Sequence, residues 1–344
     1  DYSAHANLAL AYFFARDMPK AVEEGLLDIG ANPQSINGRY NLSWYALGAG
    51  DFAMAEEEAR KVLATRPEFA EAYVSLALSQ IAQGERVQAA ETYGKLAAVD
   101  TFGASVAATG LADIAVYEGR LADAASILRN GISFDQENKW IYNAADKSIM
   151  LADILFLQGK RAEALAAVDR ALGIDKNDTA LFSAARICIK AGQLDRARDF
   201  AAALNKKLEP EPLAYAKMIG GEMSMARGDA RSAIGLFQEA QDILDTWLGR
   251  LLLGRAYLEA GAFTEAYSEF ELCLKRKGES ASVFLNDLPS FRFFPPVYYY
   301  LGRAQEGLGS DAARGSYREF LRIKEKADAG DPLVGDARLR RDSK

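Results

Sequence analysis

Few residues in this chain are able to do chemistry. It carries one histidine, His5, and two cysteines, Cys188 and Cys273. Nucleophile–histidine–acid catalysis needs a histidine beside the nucleophile, and structural zinc needs clustered Cys and His ligands. Three residues spread over the whole chain supply neither, and the two cysteines read as small buried hydrophobes that do not pair. The tripeptide Leu-Ala-Asp occurs at Leu111–Asp113 and again at Leu151–Asp153. Two carboxylates on neighbouring helices are raw material for acid/base or cation chemistry. The stretch FRFFPPVYYYLGRAQEGLG, residues 291–309, concentrates aromatic rings beside two prolines. A membrane anchor, a platform for stacking bases and a packed helix start would all use such a composition. No cofactor motif is present, and none is expected to bind.

Bulk composition narrows these options. The 344 residues are 50% hydrophobic and 26% charged, with a net charge of −7 and a pI near 5.1. Phosphate backbones are bound by Lys/Arg surfaces that release counterions, so an acidic chain argues against nucleic acid. No apolar run approaches the roughly 18 residues of a membrane-spanning helix, and no direct membrane insertion is expected. The helical pattern starts almost at residue 1 without a signal-like segment, which reads as a piece of a longer protein.

The elements that position these residues follow from a repeat. Glycines recur at Gly50, Gly84, Gly119, Gly159, Gly192, Gly228, Gly261 and Gly309. An alanine stands five residues after most of them, and Ala21 precedes the set. Successive alanine steps are 34, 34, 35, 40, 33, 36, 33 and 47. Before and after each glycine, apolar residues are spaced by three and four, the period of an amphipathic helix. Pro33 and Pro67 stand where a second helix must stop. Each unit is therefore an antiparallel helix pair that cannot bury its apolar face alone, and neighbours must stack. The step of 47 places extra residues at 279–296. Pro295 and Pro296 then suit a helix start, with Phe291, Phe293 and Phe294 folded back as packing. Chain organisation follows: repeats 1 to 8 over residues 1–278, an aromatic and proline insertion over 279–296, and a ninth repeat with a capping helix over 297–344.

The repeat resembles the tetratricopeptide repeat (TPR) family. Its pattern W-x2-L-G-x2-Y…A-x3-F…P is met best by LLLGRAYLEAGAFTEAYSEF, where Leu253, Gly254, Tyr257, Ala266 and Phe270 hold the expected places. YYYLGRAQ repeats it with Leu301 and Gly302, but Gln305 replaces the tyrosine. The resemblance implies an all-α, right-handed α-solenoid of about nine TPR-like helical hairpins plus a C-terminal capping helix. It implies that Gly254 is a close-contact position and that Gly307 faces the groove. It also implies a non-enzymatic scaffold that binds a protein or peptide. The C-terminal string FLNDLPSFRFFPPVYYYLGRAQEGL…SYREFLRIKEKADAGDPLVGDARLRR is similar to the end of TPR regions that follow the kinase domain in some bacterial serine/threonine kinases of acidobacterial type. That resemblance implies the alternative of a sensory, ligand-binding module of a membrane-linked kinase. No kinase signature is present in this chain.

In the TPR family the first helix of each repeat lines the groove. Counting from the glycine as position 15, position 9 reads Trp44, Asp113, Asp153, Arg186, Glu222, Arg255 and Arg303 in the repeats that carry an aromatic or charged residue there. Position 5 places Tyr40 and Tyr299 beside two of them. With Tyr117, the partner-binding set is Tyr40, Trp44, Tyr117, Arg186, Arg255, Tyr299 and Arg303. An extended or helical peptide fits the aromatic N-terminal part, and so equally does cover by a preceding domain, while an acidic peptide fits the arginines. The alternating signs of Asp153, Arg186, Glu222 and Arg255 equally describe a ladder of internal ion pairs. In that reading Glu222 serves Arg255, and Glu306 serves Arg303 at i, i+3.

Overall fold

The computed structural model describes residues 2–342, with side chains from residue 4. The protein is all-α, with no strand among the described residues. Its first helices are α1 (Tyr2–Phe14), α2 (Met18–Ala31), α3 (Ile36–Ala49), α4 (Phe52–Thr65), α5 (Ala70–Ala82), α6 (Arg86–Ala97) and α7 (Thr101–Glu118). There follow α8 (Leu121–Glu137), α9 (Ile141–Leu157), α10 (Arg161–Ile174), α11 (Asp178–Lys190), α12 (Leu194–Leu204), α13 (Pro210–Ala226) and α14 (Ala230–Ile243). The last are α15 (Trp247–Glu259), α16 (Phe263–Lys275), α17 (Pro296–Gly307), α18 (Ala313–Ile323) and α19 (Pro332–Asp342). Short 3-10 turns occupy Lys277–Ser282 and Phe291–Phe293. The order is nine helix–turn–helix pairs and a terminal helix, as the glycine period requires.

The turns explain the period. All eight recurring glycines adopt φ between +68° and +88°, a left-handed conformation that disfavours a Cβ. The first hairpin is the exception. Arg16, 34 residues before Gly50, takes φ 61° in their place. Pro33 and Pro67 follow the ends of α2 and α4, and Pro296 opens α17. The carboxylate of Asp331 accepts the Leu333 and Val334 amides at the start of α19.

The chain forms two compact units. Unit 1 holds residues 1–114 together with 276–291, and unit 2 holds 115–275 with 292–344. In unit 1, hairpins α1/α2, α3/α4 and α5/α6 stack in order, and the 3-10 turn at Lys277–Ser282 packs against α3 and α5. In unit 2, α9 to α18 form five hairpins that stack in order, with α8 against α9 and α19 against α18. The connector after α18 returns to the Gly119 turn. Lys324 Nζ donates to the Val116 carbonyl at 2.7 Å, and the Asp328 amide to the Gly119 carbonyl at 3.0 Å.

Close helix approach comes from rings seated on glycine. A Cβ on Gly254 would stand 2.7 Å from the Phe270 ring of the paired helix. Gly221 meets Phe237, and Gly302 meets Tyr317, in the same way. Gly307 does not face open groove: a Cβ there would stand 2.4 Å from the Phe263 ring, because α17 packs on α16. A fully buried ion pair, Lys147 Nζ to Asp135 Oδ2 at 2.6 Å, ties α9 to α8.

Both Gly254→Leu and Gly307→Leu are expected to cost about 1–3 kcal/mol by overpacking. Gly94→Ala, whose Cβ meets nothing within 4 Å, should gain about 0.5–1 kcal/mol. Urea unfolding midpoints give the ranking. Lys147→Met strands the buried Asp135 carboxylate and should cost about 3–5 kcal/mol. The double variant with Asp135→Leu should recover much of that loss in the same assay.

Candidate functional site

In unit 2 the first helices α9, α11, α13, α15 and α17 lie side by side, so residues at equivalent positions meet. Arg186 Nε donates to Glu222 Oε2 at 2.8 Å, and each side chain is 12% exposed. The Arg186 guanidinium also lies over the Phe182 and Phe293 rings, 5.6 and 5.8 Å from their centroids. Asp153 is paired with Lys190 at 2.6 Å. Burial pushes the Asp153 carboxyl upward, but Lys190, Arg186 and Arg292 more than offset it and hold the group below its ordinary range.

The remaining charges depart from the expected ladder. Glu222 is taken by Arg186, and Arg255 lies over the Tyr300 ring at 5.2 Å. Arg303 is not served by Glu306. Its Nη1 donates to the Tyr299 hydroxyl at 3.3 Å, while Glu306 accepts from Tyr317 and Arg340 at 2.7 and 2.8 Å. Tyr299 is itself 4% exposed and donates to Asp336 at 2.7 Å. Helix α19 covers it, so Tyr299 is a packing residue and not an open groove contact.

A cavity of about 640 Å³ opens among α11, α13 and α15. Arg161, Arg186, Lys190 and Arg255 line it, against Glu222 and Glu259, with Leu252, Phe237 and Met225 as apolar wall. Neither Arg161 nor Arg255 has a carboxylate at ion-pair distance among the described residues. Two of these cations, Arg186 and Arg255, stand out in the position-9 row. Lys190 and Arg161 do not. Lys190 lies at position 13 of its repeat, one of the groove positions, and a count of that row finds it. Arg161 starts a second helix, where the family's groove rule does not look.

The N-terminal aromatic residues sit differently. Trp44 is 5% exposed and shares a narrow apolar gap with Phe13, Met18, Leu47, Ala281 and Leu285. The Tyr40 ring packs on Phe69, and its hydroxyl donates to Asp287 at 3.3 Å. Segment 276–291 therefore covers the surface that Tyr40 and Trp44 were expected to offer a peptide. Tyr117 is buried near the end of α7.

The other chemical candidates have structural partners. Asp113 is fully buried in unit 1, where its charge bears on Tyr93, and His5 pairs with Glu24 at 2.7 Å. Cys188 and Cys273 are buried thiols, and the Cys273 Sγ lies 3.9 Å from the Trp247 carbonyl oxygen. Asn177 caps α11 by accepting the Ala180 amide.

Asp153→Asn tests the charge cluster. The folded carboxyl titrates below its unfolded value of 3.8, so its stabilisation is present above that value and lost as pH falls through the folded pKa. The variant should be less stable than wild type at pH 7, and the difference should close below about pH 4 in urea titrations.

A sequence model of the tetratricopeptide repeat matches residues 40–106, 109–179 and 149–212. No curated protein matches the chain. Among solved structures, the human IFIT1 dimer with PPP-AAAA is 17% identical over 99% of this chain and 80% of that one, with a TM-score of 0.51. The same dimer with m7Gppp-AAAA gives 18%, 99%, 83% and 0.51. A tetratricopeptide repeat protein from Parabacteroides merdae is 14% identical over 89% of this chain and 99% of that one, at 0.42. At such identities the first two show the fold alone. No catalytic domain is identified, and no helix among the described residues is long and apolar enough to cross a membrane. With the glycine-set hairpins and the matched segments together, the chain is a tetratricopeptide repeat protein.

Proposed function

We propose that this protein is a docking scaffold that receives an acidic segment of a partner protein in the unit 2 cavity. Repeats of this family generally serve as protein–protein interaction scaffolds, and a cavity among first helices suits a peptide side chain or turn. One observation carries the choice of partner. Four cations line the cavity against two acids, and among the described residues Arg161 and Arg255 have no carboxylate at ion-pair distance. Arg255 also lies over the Tyr300 ring at 5.2 Å, a contact that restrains its fork for a carboxylate.

The C-terminal resemblance to kinase-linked TPR regions supports a second, finer setting, in which the scaffold is the sensory or regulatory part of a membrane-linked serine/threonine kinase. A kinase domain and a membrane-spanning helix encoded upstream in the same gene would bear it out. Their absence from the gene would remove it.

Fluorescence anisotropy with acidic, neutral and basic peptides of equal length tests the docking reading. The acidic peptide should bind tightest, and more weakly as salt rises. Arg161→Ala and Arg255→Ala should each weaken it about tenfold, the loss of one charge-assisted hydrogen bond. Equal affinities for the three peptides, or unchanged binding in both variants, would overturn it.

A further inference from the structure

Segment 276–291 is the part of unit 1 outside the helical repeat, and it is tied to the hairpins at several points. It begins with a backbone contact: a Cβ on Gly278 would stand 2.0 Å from the Leu47 carbonyl oxygen and 2.9 Å from the Gly50 nitrogen. No other side chain fits that approach. Lys277 Nζ donates to the Ala82 carbonyl at the end of α5, at 2.7 Å. The segment then passes Trp44 and reaches Tyr40, seven residues before Leu47 on α3 or about 10 Å along its axis. There the Tyr40 hydroxyl meets Asp287. Residues 278–283 are buried. Ser290 braces the fold of the segment, its amide donating to the Ala281 carbonyl and its hydroxyl to the Ser280 carbonyl.

Arg16 shows that the first hairpin is adapted to this segment. Eight turns of the chain use glycine at positive φ, and the first uses arginine at φ 61°. A non-glycine residue there strains the backbone, because its Cβ crowds the carbonyl oxygen. The side chain that the strain retains is 8% exposed, and its Nη2 donates to the Val283 carbonyl at 3.1 Å across 267 residues of sequence. A glycine at residue 16 would relax the turn and lose that hydrogen bond.

We infer that segment 276–291 is a built-in ligand of unit 1, which occupies the inner face of its first hairpins and withholds that face from partner peptides. The occupant presents a glycine to the end of α3, the Val283 carbonyl to Arg16, aliphatic side chains to Trp44 and Phe13, and a carboxylate to Tyr40. A free peptide competes for the face only when these anchors are weakened.

The test uses the full chain and a labelled peptide of sequence RKGESASVFLNDLPSF. Wild type should show no saturable binding. The Arg16→Gly/Tyr40→Phe variant removes two anchors without adding bulk. It should bind the peptide saturably, with hydrogen exchange in 276–291 at least tenfold faster than in wild type. Gly278→Val ejects the segment by steric clash and should bind tighter still; if it fails to fold by circular dichroism, the double variant decides alone. Wild type binding the peptide as well as the double variant does, or unchanged exchange in the folded double variant, would overturn the inference.

Discussion

The last three hairpins depend on one contact, an aromatic ring of a second helix resting on a glycine of the first. Where Phe270 meets Gly254, Phe237 meets Gly221 and Tyr317 meets Gly302, the missing Cβ lets the ring reach the backbone. Each ring thereby fills its hairpin at interior packing density. Successive hairpins stack in order, and equivalent positions on neighbouring first helices come within reach of each other. The ion pairs of Arg186 with Glu222, 36 residues apart, and of Lys190 with Asp153, 37 apart, join first helices that lie side by side.

Charge on the unit 2 face is then a question of what remains after internal pairing. Asp153, Lys190, Arg186 and Glu222 satisfy one another, and partly buried pairs of this sort stabilise modestly while fixing side-chain positions. Arg303, Tyr299 and Asp336 form a second closed set that fastens α19. What stays available is the edge of the cavity at Arg161 and Arg255. The same lattice that consumes most of the charge leaves a cationic remainder beside an apolar wall, a combination suited to an amphipathic acidic segment.

How far the sequence could be read depended on whether a contact was local. Turn glycines, proline stops and the nine-pair count are set within single repeats, and their spacing is visible in the chain. Position counting also brought Arg186, Glu222 and Arg255 to one face. It failed at Gly307, because its phase describes a helix's own face, whereas the clash there comes from Phe263 on the preceding helix. It failed at Tyr299 because α19, outside the repeat, lies over it. Tyr40 and Trp44 looked open for the same reason: residues 276–291 have no helical period to announce where they pack. Arg16 did carry a signal, standing 34 residues before Gly50 where the series calls for glycine.

The contacts of segment 276–291 also set an order of events during synthesis. The hairpins of unit 1 are built from neighbouring residues, so they can close as soon as they leave the ribosome. Their inner face is completed only by residues that lie more than 160 positions further along. At about 5–20 residues per second that delay is roughly ten to thirty seconds, many times longer than hairpin formation. For that interval the nascent hairpins exist with Trp44 and Phe13 uncovered. The last step in completing unit 1 is thus a loop closure over most of the chain, whose entropic cost grows only slowly with its length.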